Sequence, residues 1–468
     1  MAVLLAVLFV TLPMDAFGRV VAGSLITPAD VVGAGIAILT IERLATRRYR
    51  VRPSRDQSLL AFGMFLLVGT LSVIFSDDSP QILNKGSVQL GGVFIMLLAC
   101  IATTNEVARR PVLFAGYVRL SVIVLALVSI IGIAQFVLAN ALGHPEVLEF
   151  TFLNRWAGGN VWYNRGSLDG IVRANSILQE PSAFGMVLGT GAGIALVRIG
   201  LCGRAQRVAV RRIIPGWAAV LLLLGFIVTV SLIDFFLLLM VGASLWVVSR
   251  RISAAAIATF AAAMILLGGV AYAAIAATLP DINAKLGAMG SITSGDVQVK
   301  RAEDLSAIAL AVNLAVMRAN LARDPMLGAG LGAHPVTYDR ENPGLGRLPL
   351  DIVNVGLNKE DAASLLIRLL SEVGILGTIA FIAGWILAVT RSRRSILASL
   401  SAGTAPNVLS SLAIGVTASM IGVWVACLAR APQYYAPWFW LPMALTASVP
   451  EMLARVASET HRAGNALG

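Results

Sequence analysis

Charge is scarce in this chain: 13% of its 468 residues are Asp, Glu, Lys or Arg, against about a quarter in soluble globular proteins. That excludes the ordinary soluble classes. Cysteine is scarcer still. Cys100, Cys202 and Cys427 all lie in or beside long apolar runs, which excludes a disulfide-stapled secreted domain. Moderate glycine and proline, with 7% aromatic residues, exclude collagen-like, low-complexity and disordered chains. There is no Walker or Rossmann fingerprint, no loop on the cytoplasmic side long enough for a nucleotide-binding domain, and no repeat of 20–50 residues. What the chain does have is 57% hydrophobic residues and a mean hydropathy of +0.82, the composition of a many-helix integral membrane protein.

A net charge of +11 suggests nucleic acid at first sight, but the basic residues form short clusters between apolar runs rather than one face. No nucleic-acid partner is expected. About 20 apolar residues cross the hydrocarbon, and windows of that size fall at 2–14, 25–43, 58–75, 86–103, 113–140, 181–199, 213–230, 232–249, 254–277, 363–389, 406–428 and 435–452. The expected fold is therefore all-α and polytopic, with about 12 transmembrane helices. The first window has no basic n-region or clear cleavage site, so it reads as a retained helix. With both termini inside, 20 of the 36 basic residues fall in inside loops and the short outside turns are nearly free of positive charge. The layout is then 1–140 (helices 1–5), 141–180 (first outer loop), 181–277 (helices 6–9), 278–362 (large outer loop) and 363–468 (helices 10–12 and a cytoplasmic tail).

The two outer segments are too long to be connectors, so any chemistry is expected at the outer face and without direct use of ATP. The first ends in Arg173-Ala-Asn-Ser-Ile-Leu-Gln-Glu180-Pro181, which runs into the sixth span. Pro181 suits a first helical position, and Glu180 then lies at the positive end of the helix dipole. Two readings stand side by side. One is an acidic helix start with an interfacial arginine. The other is an anion-handling corner, where Arg173 contacts phosphate bidentately and Glu180 orients or deprotonates an acceptor. Arg155 and Arg165, among Trp156, Trp162 and Tyr163, make the loop basic and aromatic, as suits phosphate and sugar ligands.

In the second loop an amphipathic helix is predicted from about Glu303 to Arg323, stopped by Asp324-Pro325. Arg301 and Arg318 would stand about 25 Å apart along it, too far to grip one diphosphate together. Arg318 and Arg323 read either as site residues or as headgroup anchors. The glycines of Gly328-Ala-Gly330-Leu-Gly332 permit a tight turn, and His334 follows, either structural or catalytic. Arg368 and Glu372, four apart on one helical face, predict an intramembrane pair that is either structural or lines an acceptor cavity. Asp77-Asp78 has no third ligand nearby, so a solvated turn is expected and the site is expected to need no metal or other cofactor.

Taken together, the R-x6-E-P segment at 173–181, DPMLGAGLG at 324–332 and SLLIRLLSEVGILG at 364–377 resemble the O-antigen ligase / Wzy-type polymerase superfamily of bacterial membrane glycosyltransferases. The resemblance covers most of the chain. It implies a GT-C-like fold with two long periplasmic loops, in the bacterial inner membrane. It also implies transfer of glycan from an undecaprenyl-diphosphate carrier at the periplasmic face, without metal or nucleotide sugar. Ligases of the superfamily carry a histidine in an H-[NSQ]-x9-G pattern; the matching positions here are Ala363 and Ser364, so the resemblance favours a polymerase over a ligase. Arg173, with Arg301 or Arg318, would stabilise the departing diphosphate, and Glu180 or His334 would serve as base. Arg323, Arg165, Arg368 and Glu372 are secondary candidates. The implied partners are the lipid-linked oligosaccharide, membrane lipid and a chain-length regulator. A transporter of lipid-linked sugar is disfavoured because neither paired broken spans nor internal repeats are evident; a non-catalytic scaffold is the remaining rival.

Overall fold

The computed structural model describes residues 1–11, 13, 19–21, 24–52, 56–76, 80–150, 167–168, 171–178, 180–201, 204–250, 305–341, 359–360, 362–401, 408–428, 434 and 436–467. In its first half, α1 (Ala2–Thr11), α2 (Pro28–Ala45), α3 (Gln57–Ile74), α4 (Pro80–Arg109) and α5 (Val112–Asn140) are followed by α6 (Pro181–Ile199), α7 (Arg204–Arg211), α8 (Gly216–Val228) and α9 (Leu232–Ser249). Then come α10 (Leu305–Arg323), α11 (His334–Glu341), α12 (Leu365–Ser401), α13 (Val408–Cys427) and α14 (Pro437–Leu467). Two small antiparallel hairpins, β1–β2 (Arg19–Val21 with Ser24–Ile26) and β3–β4 (Ser167–Leu168 with Ile171–Val172), are the only strands among the described residues.

The α3 helix is apolar on every side, as a helix between a protein core and lipid must be. On α3, Leu59, Phe62 and Phe65 are buried, while Leu60, Met64 and Leu67 on the same helix are exposed. The buried face meets Phe381 of α12 and Trp440 of α14 in edge-to-face ring pairs, with ring centres 4.9–5.5 Å apart. The second half of the bundle is built on α13, which packs along α6 and α9 and also contacts α12 and α14. Local signals set several helix starts. At α2, Thr27 accepts from the Asp30 backbone while the Asp30 carboxylate accepts from Thr27, a reciprocal capping box.

The expected count of twelve spans is not what the described residues present. Six helices are long and apolar enough to cross a membrane: α3, α4, α5, α6, α12 and α13. Counting α7 and α8 together, which are bent by 109°, makes seven. The physical reasons are specific. The 10 residues of α1 reach only about 15 Å, half the hydrocarbon thickness. The α2 helix carries Asp30, Glu42 and Arg43, and α8 has only 13 residues. Pro442 and Pro450 interrupt α14, whose second half is polar. The window at 254–277 lies outside the described residues. The α12 helix is itself broken at Gly374, where φ is 62° and ψ −162°. The protein is a multi-pass, all-α membrane protein.

Candidate functional site

The first cluster of polar groups forms where the chain enters α6. Residues 174–178 are buried although they form no regular element, so their backbone groups need partners. Two side-chain amides of α5 supply them in the manner of a missing strand. Asn140 accepts from the Val172 N–H and donates to the Val172 carbonyl, both at 2.8 Å. One turn and a half earlier, buried Gln135 accepts from the Ser176 N–H at 2.7 Å and donates to the Ser176 carbonyl at 2.9 Å. Arg173 lies between these clamps. Its Nε donates to the Thr229 carbonyl at 3.2 Å, and the neighbouring Ala174 N–H bonds to the Val228 carbonyl at 3.1 Å, so the segment also closes the end of α8.

Pro181 begins α6 as predicted, and Glu180 occupies the N-cap position with extended backbone. Its carboxylate makes no capping bond to the helix. A simple acidic cap therefore does not describe it. Asp234, in the first turn of α9, was not anticipated, yet its side chain is completely buried against α6. A Cβ at Gly185, one turn below Pro181, would fall 1.9 Å from the Asp234 carboxyl carbon, so glycine there makes room for the acid. The only sequence signal was an aspartate inside an otherwise apolar window, which in a membrane helix marks a functional candidate.

Replacing Gln135 with alanine strands the Ser176 backbone groups inside the bundle. We expect a loss of about 2–4 kcal/mol, together with shorter polysaccharide as the segment that carries Arg173 loosens. Thermal melting of the detergent-solubilised protein checks the first effect, and a wild-type melting curve would refute the clamp.

The second cluster forms around the break in α12. The predicted helix in the large loop is present as α10, ending at Arg323 as expected. Asp324 then caps the turn, and Gly328, Gly330 and Gly332 all take positive φ, at 69°, 107° and 80°. The glycine strand lies against the broken helix. Ala329 and Gly330 donate to the carbonyls of Ser371 and Glu372, each at 3.0 Å, while Ile375 and Leu376 donate to Pro325 and Met326. Backbone groups that a break would leave bare in the membrane are thus satisfied by the loop. On its other side, Leu331 donates to the Ser72 hydroxyl of α3.

This docking gathers His334, Arg368 and Glu372. His334 is buried, with Nδ1 2.7 Å from Ser371 Oγ and Nε2 2.7 Å from Asn313 Oδ1. The tautomer follows from the carbonyl acceptors outward. Asn313 must turn its NH2 to the Ala309 carbonyl, which points its oxygen at Nε2 and requires Nε2–H. Nδ1 then accepts from Ser371, whose oxygen in turn accepts from Asn320 at 2.7 Å. Burial first, and the Arg368 charge second, push the imidazole pKa down to about 3. The predicted Arg368–Glu372 pair exists, with Nε 3.5 Å from Oε1 and both side chains buried. The guanidinium also sits 4.5 Å from the centre of the Tyr434 ring.

Because folded His334 resists a proton that the unfolded chain binds from pH 6.5 downward, it costs stability as pH falls from 6.5 toward 3. A His334→Gln variant should lose stability less steeply over that window. An equally steep loss would show that His334 titrates like an exposed histidine.

Arg173 and Glu180 thus lie on the segment that leads into α6, and Asp234 of α9 lies against Gly185 of α6, while His334, Arg368 and Glu372 come together around α12. Both α13 and α14 pack against α6 and against α12. Arg318 lies on the exposed side of α10, away from buried Asn313 and Asn320, and Arg323 is exposed at the end of the helix. Arg301, Arg155 and Arg165 lie outside the described residues, as do Asp77 and Asp78.

A profile of WcaD colanic acid polymerase matches residues 4–293, more than half of the chain and including both Arg173 and Glu180. The chain belongs to the WcaD colanic acid polymerase family. This makes it a polysaccharide polymerase of glycosyltransferase type, in line with the resemblance found in its motifs. No curated protein matches the chain. The WcaD match ends before the glycine loop and does not cover His334, Arg368 or Glu372.

Proposed function

We propose that this WcaD-family polymerase joins oligosaccharide repeat units carried on undecaprenyl diphosphate, at the periplasmic face of the inner membrane and without a metal. The family match carries the reading; the Arg173–Glu180 corner supplies groups suited to the reaction. An acceptor sugar hydroxyl on one lipid-linked unit attacks the anomeric carbon of the glycan on another. Its proton passes to the Glu180 carboxylate, the new C–O bond forms, and the old bond to the diphosphate breaks with its electron pair leaving on the diphosphate. Arg173 faces the charge that develops on that leaving group, with Arg301 or Arg318 as a second cation from the large loop. A diphosphate leaves readily, so no general acid is required.

His334 takes a positioning part in this scheme. A neutral imidazole with both nitrogens engaged holds Ser371 and Asn313, and through them the loop on the broken helix, rather than drawing a proton from a sugar. Arg368 and Glu372 compensate each other beside it. A chain-length regulator is a proposed partner of the assembled enzyme.

Reconstituted protein supplied only with lipid-diphosphate-linked repeat units should yield a ladder of products at repeat-unit spacing. A ligase would need a lipid A-core acceptor and give no ladder, and a transporter or scaffold would leave the repeat units unjoined. Absence of a ladder under conditions where the protein is folded would overturn the proposal.

A further inference from the structure

At the end of the bundle opposite the glycine loop lies a cavity of about 820 Å³, framed by the ends of α2, α4 and α14. From Gly86, which touches the glycine loop, to Arg109 at this end, α4 runs about 35 Å, so the two features sit on opposite sides of a bilayer. Arginine dominates the lining. Arg47, Arg48, Arg50 and Arg52 come from the segment joining α2 to α3, and Arg109 closes α4. Arg455 and Arg462 project from α14. Against these seven stand three carboxylates, and one of them, Glu459, already pairs with Arg455 at 2.7 Å. Among the described residues, Arg47, Arg50 and Arg462 enter no ion pair.

Positive charge on one side of a membrane protein is expected from topology alone. A topological signal, however, does not require the arginines to be built into a wall, and here they are. Buried Tyr49 donates to the Glu106 carboxylate at 2.6 Å, and Arg43 reaches both of these groups at 2.7 Å. The Arg109 guanidinium lies 5.0 Å from the centre of the Tyr49 ring. Next to it, the Asn105 amide accepts from the Arg50 N–H and donates to the Arg50 carbonyl. The segment that carries four of the arginines is thereby fastened to α4 before any ligand arrives.

We propose that this cavity is a headgroup site for an anionic phospholipid carrying two phosphates, of the cardiolipin type. Three features favour that occupant. The cavity is several times larger than one phosphate, the guanidiniums offer forked donors matched to phosphate oxygens, and the site opens at the helix ends where headgroups lie. Ala108 and Ala454 add small apolar surface beside the charges, where the glycerol and first acyl carbons would rest.

The test uses full-length protein, delipidated in detergent and titrated with cardiolipin, phosphatidylcholine or inorganic phosphate, with bound lipid counted by native mass spectrometry. Cardiolipin should be retained in strong preference to phosphatidylcholine. Removing three charges in Arg47→Gln/Arg50→Gln/Arg462→Gln should weaken that retention on the order of a hundredfold, given the contribution of each arginine near an anionic lipid. A matched triple variant on the exposed face of α7, Arg204→Gln/Arg207→Gln/Arg211→Gln, should leave it unchanged. If the first triple variant does not fold, the three single variants should each weaken retention about fivefold. Equal retention of both lipids, equal loss in the α7 variant, or unchanged retention in the cavity variants would overturn the proposal. Displacement of cardiolipin by millimolar inorganic phosphate would reassign the cavity to a soluble anion and overturn it as well.

Discussion

Substituting Arg173 with alanine should abolish long-chain polysaccharide while the protein still inserts at its normal level. The side chain is half-buried and tied through Nε to the Thr229 carbonyl, so its removal deletes a positioned cation rather than a packing element of the core. Loss of one preorganised group aimed at developing charge costs a rate factor of about 10²–10³. Over many rounds of chain extension, that factor leaves only short products. Arg173→Lys tests the geometry separately. It keeps the charge but loses the fork and the Nε bond, so it should recover only a small part of the activity. Product length on gels, compared with protein abundance in isolated membranes, checks both variants. Chains of wild-type length from Arg173→Ala would remove Arg173 from the site.

The largest expected effect on stability is at Gly374. Its φ of 62° with ψ of −162° is open to glycine and strongly unfavourable for any other residue. A Cβ there would also lie 2.5 Å from the Met326 carbonyl carbon and oxygen, and neither backbone atom can move without breaking the loop's bonds to α12. Strain and overlap together predict a loss of about 3–5 kcal/mol for Gly374→Ala, with loss of activity as the loop detaches. Gly63 provides the control. It lies within α3 with nothing near its missing side chain, so Gly63→Ala should be neutral or stabilising by up to about 1 kcal/mol. Melting temperature and protease resistance of the purified proteins distinguish the two. A Gly374→Ala variant that melts with wild type would disprove the role given to the break.

Several site residues could be read without coordinates because their signal is local. The start of α6 at Pro181, with Glu180 before it, follows from proline's fixed φ and missing N–H. The Arg368–Glu372 pair follows from four-residue spacing on one helical face. The large-loop helix ending at Arg323 follows from apolar periodicity and the Asp324-Pro325 stop. Asp234 was not legible, because its meaning depends on Gly185 of a helix about 50 positions away. Gln135 and Asn140 were not legible either. They resemble ordinary polar residues near a helix end until the segment at 172–176 is laid beside them.

Sequence alone determined that this chain lives in a membrane and that it is helical. Those properties are sums over short windows: the free energy of burying apolar side chains, and the positions where proline, glycine and charge interrupt them. Only the tertiary structure decided which of the described helices are long enough to cross, that α12 breaks at Gly374, and that the glycine loop fills the break. Only it brought His334 to Arg368 and Glu372. The reason is that a buried backbone or charged group must find its partner wherever the chain supplies one. Here the partners lie tens to hundreds of residues away, beyond the reach of any local pattern.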